Sequence, residues 1–323
     1  MQIPPAGFAK NEGFFLTNEG TFGLGNASLY FINLKDESKN TNSDLFYAAN
    51  GRKCGDVLQS INLIGENLWL VINNSGKIEV INSENLKTVQ TIKNFKSPRY
   101  TLKVNEEKVY VSDLYSNAIS IVNSNNFTKV GEIKCSGWTE EMILVNNKVW
   151  VTNHNSNYVY IINPETDKIS DSLEIAWGGS SIIYDNSNKI WVLCSGDATK
   201  NKTGGLFCID EKKMKIEKKI LFDKPDFNPI RLKFNKENDS FLFVYKGIYK
   251  FSKYANSLPS NPIIAEKKGS SFYGLTVDKT NGNILIADAG DYLSSGQILV
   301  YSPTGHFIKS YKAGIIPSDF FWW

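Results

Sequence analysis

The side chains of this 323-residue chain that could bind or react fall in short polar loops between apolar runs. One set of loops carries Arg52 and Asp56, Arg99 and Tyr100, Trp138 and Glu140, Trp177, Phe227, and Phe272 with Tyr273. A second set carries Asn74, Tyr115, His154, Asp197 and Tyr292. Such a mixture suits recognition: rings cover apolar area, while arginines, amides and carboxylates fix polar groups. Catalytic signatures are missing. The chain has no HExxH, no GxSxG elbow, no P-loop and no Gly-rich dinucleotide fingerprint. Of its two histidines, only His154 falls in these loops. The expectation is a binding protein with no catalytic residue and no cofactor.

Each candidate has a plainer reading beside it. Trp138 and Trp177 sit next to glycines, as a ligand platform or as loop packing. Arg52 and Arg99 either contact ligand or order their own loops. Asn73, Asp113, Asn153 and Asp288 recur two residues past a Val or Ile. That repetition fits turn capping, or, for Asp113, Asn153 and Asp288 together with Glu140, an oxygen-lined calcium site.

The elements that must hold these loops are read from a repeat. Val109–Asp113 and Ser116–Asn123 recur as Val149–Asn153 and Ser156–Asn163, always 40 residues on (149 − 109, 156 − 116). A fixed period of this size marks a repeat architecture. Within a copy, apolar and polar residues alternate over four to six positions, the signal of strands. Asn-, Asp- and Pro-containing turns separate them. In the second copy the four strands are Glu140–Val145, Lys148–Thr152, Tyr158–Ile162 and Ile169–Leu173. The predicted fold class is all-β, a seven-bladed β-propeller of four-stranded antiparallel blades.

The first blade reads as Phe14–Thr17, Ser28–Leu34 and a D strand at Asn42–Tyr47. Its missing A strand is expected from the C-terminal Asp319–Trp322, which closes the ring. Blade six, Ile230–Ala265, is the most degenerate and carries an insertion at Lys253–Pro262. Residues 1–12 read as a loose leader before a single domain, 13–323. Trp69, Trp150 and Trp191 lie mid-strand and are expected in the core between blades.

Composition narrows the function classes. The net charge of +3, with both signs interspersed, argues against a nucleic-acid footprint. No apolar run is long enough to span a bilayer. The four cysteines form no CxxC pair and are expected as free thiols.

Several segments resemble a family. Asp56–Ser60, Val71–Val80, Ser97–Tyr100 and the close at Ile316-Pro317 and Phe321-Trp322 resemble the YncE-like seven-bladed propellers of Bacteroidetes. That group includes surface-exposed, corrinoid-binding lipoproteins of the BtuG type. The resemblance implies capture of cobalamin (vitamin B12) at the outer membrane and transfer to a TonB-dependent transporter of BtuB type. It also implies lipid anchoring at the cell surface, with the periplasm as the alternative, although no lipidated cysteine stands near Met1. Two other functions remain open: a calcium-dependent propeller hydrolase or lactonase, and a protein-binding scaffold.

Overall fold

The computed structural model describes residue 8 and residues 10–323; most of the expected leader lies outside them. Phe8 packs against Phe15 and Phe31, and its carbonyl accepts from the Trp323 indole.

Seven antiparallel sheets form a closed ring. In each, strand A lies nearest the axis and strands B and C follow outward, with a fourth strand, D, outermost in six of the seven. The A strands are Leu58–Ile64, Pro98–Lys103, Thr139–Val145, Gly179–Tyr184, Ile230–Asn235 and Phe272–Val277 in blades two to seven. Pro317–Trp322 supplies the A strand of blade one and pairs with Gly13–Asn18 (Phe14 opposite Trp322, Leu16 opposite Phe320). Each A strand packs on the next, and Pro317–Trp322 touches both Phe272–Val277 and Leu58–Ile64, so no gap remains. Closure of this kind pairs the edge of Gly13–Asn18 that would otherwise stand open.

The apolar face of each strand is spent between blades. Seven separate clusters fill the seven interfaces. One joins Trp69, Val71 and Val80 of blade two to Val109, Val111 and Val122 of blade three. Trp150 likewise packs with Ile182, Ile190 and Val192 of blade five. Trp69 and Trp150 are wholly buried, and Trp191 nearly so, donating its indole N–H to Asp185 (2.9 Å). Each buried side chain of this size contributes about 2–3 kcal/mol. A blade removed from the ring would expose two such clusters at once.

One expected strand is absent. Where a D strand was expected at Asn42–Tyr47, Leu45–Asn50 forms an α-helix, and sheet one has three strands. Asp44 caps it by accepting from the Phe46 N–H (3.0 Å), and Gly51 ends it at φ +68°. Leu45, Phe46 and Ala49 bury one face of this single turn and a half against the blade. In blade six the D strand shrinks to Ile264–Ala265, and the insertion runs beside it. All four cysteines are free and buried, and burial raises their thiols, to about 12 for Cys54 and about 11 for Cys135.

Candidate functional site

Every A strand carries an irregularity at its first residues, where the chain enters from the D-to-A loop. The A–B register slips at Leu58/Ser60, Pro98/Thr101, Thr139/Met142, Gly179/Ser181, Ile230/Lys233 and Phe272/Gly274, and opposite Leu16/Asn18 in blade one. A bulge leaves an extra residue that re-aims a side chain. The first bulge residues are Gln59, Arg99, Glu140, Ser180, Arg231, Tyr273 and Ser318, one from each blade; Tyr100, Glu141, Leu232 and Asp319 follow them in the four longer bulges. Arg231 holds φ +61°, a costly conformation for a residue with a Cβ.

These residues meet at the mouth of the central channel. Arg99 donates two hydrogen bonds to Glu140 (2.8 and 2.6 Å) and a third to the Gln59 side-chain carbonyl. Burial alone would lower the Arg99 pKa, but Glu140 more than offsets it and keeps the guanidinium charged. Arg231 of blade six reaches across the axis and donates to the Tyr100 hydroxyl of blade three (3.0 Å). Its Nε donates to the Tyr273 carbonyl (3.4 Å). The Tyr273 hydroxyl donates to Glu19 (3.2 Å). Burial raises Glu19, although Arg231 and Arg99 oppose it, and one of its carboxyl oxygens has no partner. A side-chain bridge therefore crosses the channel and plugs it.

Above the plug, Trp138 stacks on His154 (centroids 4.4 Å, 22°) and donates its indole N–H to Glu140. Arg99 lies 5.3 Å from the Trp138 ring centre. Burial, assisted by Arg99, lowers the His154 pKa, so the imidazole is neutral at pH 7. A cavity of about 150 Å³ opens between Trp138, Glu141, Ser180, Ile230, Arg231 and Tyr273.

Of the residues expected in the site, the structure brings together Arg99, Tyr100, Trp138, His154 and Tyr273. Tyr292 stands beside Tyr273 in a T-shaped contact (5.9 Å). Tyr115 is exposed on the same face. Asp56 accepts from the Gly23 N–H (2.9 Å) and from Asn74, tying two loops together at the rim. Others lie elsewhere. Arg52 is off the mouth, paired bidentately to Glu79 on strand C of blade two (2.8 and 2.9 Å). Phe272 is buried in the core between blades six and seven. Trp177 and Asp197 flank an outer cleft of about 650 Å³. Phe227 packs with Phe222 and Tyr245 in another, of about 670 Å³. Sequence reasoning missed Gln59, Glu141 and Arg231. The spacing could have found Gln59, since Gln59, Arg99, Glu140 and Ser180 follow at 40, 41 and 40 residues (99 − 59, 140 − 99, 180 − 140), whereas Arg231 stands 51 past Ser180 and breaks the period (231 − 180).

Three of the four recurrent Asn and Asp residues cap turns, while Asn73 donates to the Pro98 carbonyl (2.9 Å). Asp113 accepts from the Ser97 and Ser116 N–H groups, Asp288 from Ser271 and Gly290, and Asn153 from Asn155. With these oxygens engaged and Glu140 bound to Arg99, the set does not fit a calcium ion. Among the described residues no three His, Cys, Asp or Glu side chains are grouped to hold a metal. No helix among them is long and apolar enough to cross a membrane.

Around the mouth, the B-to-C loops of blades one, three and seven expose apolar side chains. Phe22, Leu24, Tyr115, Tyr292 and Leu293 are between 41% and 73% accessible. Isolated exposed apolar residues are ordinary; several on one crown of loops are less so.

The fold is similar to that of a quinonprotein alcohol dehydrogenase-like protein from Bacteroides thetaiotaomicron (TM-score 0.72, 17% identity, covering 96% of this chain and 78% of that one). It is also similar to the periplasmic gluconolactonase of Pseudomonas aeruginosa (TM-score 0.67, 11% identity, 95% and 98%). Virginiamycin B lyase from Staphylococcus aureus is a third (TM-score 0.60, 13% identity, 78% and 82%). At these identities the likeness is one of fold. No curated protein matches the sequence. A family model covers residues 12–314, nearly the whole propeller, and the chain belongs to that family, described as Domain of unknown function (DUF5074).

Proposed function

We propose that this chain is a non-enzymatic capture protein that seats a corrinoid-class ligand, such as cobalamin, on the crown of loops above the plugged channel. The ligand would then pass to a TonB-dependent outer-membrane transporter, with the propeller held at the cell surface. One observation carries the reading: exposed Phe22, Leu24, Tyr115, Tyr292 and Leu293 surround a mouth whose main arginine–glutamate pair is already satisfied. That arrangement offers apolar area and fixed polar groups, and no activated nucleophile.

The magnitudes agree with such a role. A broad ligand covering roughly 500 Å² of apolar surface gains about 12 kcal/mol gross at ~25 cal/mol per Å². Association offsets several kcal/mol of that, while nanomolar binding needs about 12 kcal/mol net. The polar groups at the mouth must therefore contribute, and their preorganisation keeps the ordering cost low. Isothermal titration with cyanocobalamin tests the reading. Heat with a dissociation constant in the nanomolar range is expected, and no heat at micromolar protein would overturn it. The same apolar crown favours a second reading, a scaffold for a protein partner. Retrieval of an outer-membrane protein equally well with and without corrinoid would favour that one.

A further inference from the structure

The two arginines of the bulge ring are treated differently. Arg99 has a carboxamide on one side, Gln59 of blade two, and a carboxylate on the other, Glu140 of blade four. Arg231 occupies the equivalent bulge in blade six. The position before it in the ring is Ser180, whose hydroxyl turns away to the Leu193 carbonyl (3.2 Å). No carboxylate of the described residues lies within 4.0 Å of Arg231; its partners are the Tyr100 hydroxyl and the Tyr273 carbonyl. Glu141 lines the same cavity. One of its oxygens accepts from the Ile182 N–H (3.0 Å), and no described residue hydrogen-bonds the other.

The cavity thus has a donor fork on one wall and a free acceptor on another. A cation would be opposed by Arg231, and an anion by Glu141 once it is ionised; burial raises the Glu141 pKa, with Lys233 and Arg231 opposing. A neutral planar group with one acceptor and one donor edge satisfies both without adding charge to a desolvated site. About 150 Å³ is the liquid volume of roughly five waters at ~30 Å³ each, room for such a group. Trp138 and Ile230 provide flat and apolar walls.

We propose that this cavity receives a primary carboxamide arm of the bound ligand, with Arg231 donating to its carbonyl oxygen and Glu141 accepting from its NH2 group. The arm takes the place beside Arg231 that Gln59 takes beside Arg99. This rests on the capture reading and sharpens it, because a corrinoid is edged with such amides.

The experiment has two arms. Cyanocobalamin is titrated by calorimetry into wild type, Arg231→Met and Ser180→Gln; the last places a carboxamide where blade two has Gln59. Each substitution is expected to weaken binding about tenfold or more, Ser180→Gln without lowering the melting temperature. In the second arm, acetamide and acetate are added to 15N-labelled protein. Acetamide is expected to shift the Trp138 indole N–H in wild type and not in Ser180→Gln, and acetate to leave it in place. Corrinoid binding unchanged by both substitutions, or a Trp138 resonance indifferent to acetamide, would overturn the inference. An acetamide response with no cyanocobalamin heat would uphold it and remove the corrinoid reading instead.

Discussion

Trp138 and Trp177 occupy nearly the same place in consecutive repeats, yet they end in different regions. Trp138 follows Gly137 (φ +94°) and lies over the channel mouth, stacked on His154 and bonded to Glu140. Trp177 precedes Gly178 (φ +83°) and lines the outer cleft, with its indole N–H unpartnered and Lys200 4.8 Å from its ring centre. The residue with positive φ sets the turn in both loops. Exchanging the order of Gly and Trp moves the large ring from one side of that turn to the other. The mouth is therefore a network of satisfied groups around one small opening, whereas the cleft is a looser groove edged by lysines and a capped turn.

The sharpest way to break this contrast is to unpair the mouth. Arg99→Ala strands the Glu140 carboxylate, which is 8% exposed, and should cost about 3–5 kcal/mol in urea unfolding. An unchanged midpoint would show that the pair is not holding the mouth. Next in size is ligand binding. Trp138→Ala should weaken cyanocobalamin about tenfold and Trp177→Ala should leave it unchanged; equal losses would erase the distinction between the two rings. A smaller effect concerns Glu19. Burial raises its pKa above the ordinary 4.5, so its contribution to stability is full below 4.5 and lost as pH rises through the raised value. Glu19→Gln should then stabilise the protein at pH 7, with the gain fading as pH falls to 4. A gain that grows on acidification would contradict the sign. The smallest effect lies at the cleft. Hydrogen bonds from Thr199 and Lys200 hold the Asp197 carboxyl down to about 2. Its carboxyl NMR resonance should titrate near that pH, below the ordinary carboxylate range.

Much of the architecture was legible from alternation and period. The four strands of blade four fall within one residue of their expected limits, because turn residues punctuate them. The helix at Leu45–Asn50 was hidden by its length: six residues are too few for a helical period to stand out from strand alternation. Its only marks in the sequence were Asp44 and Gly51, its cap and stop, which the strand reading passed over. The site was half legible. Aromatic and charged loop residues were visible, but a bulge is a property of two paired strands and leaves little mark in one. Arg231 therefore read as an ordinary strand residue, and Arg52, equally basic and set in a loop beside Gly51, proved to be a clasp for Glu79.

Pairing of Pro317–Trp322 with Gly13–Asn18 has a geometric corollary. Strand A of blade one runs away from the mouth and its neighbour runs toward it, so Trp323 and Asn11 come together on the far side, joined by a backbone hydrogen bond (Asn11 N–H to Trp323 C=O, 2.5 Å). A tether leaving the propeller at Asn11 or at Trp323 would depart from the floor of the disc and hold its open side outward, like a dish on a stalk. Joining the termini and cutting the chain in a solvent-facing loop should likewise preserve the disc.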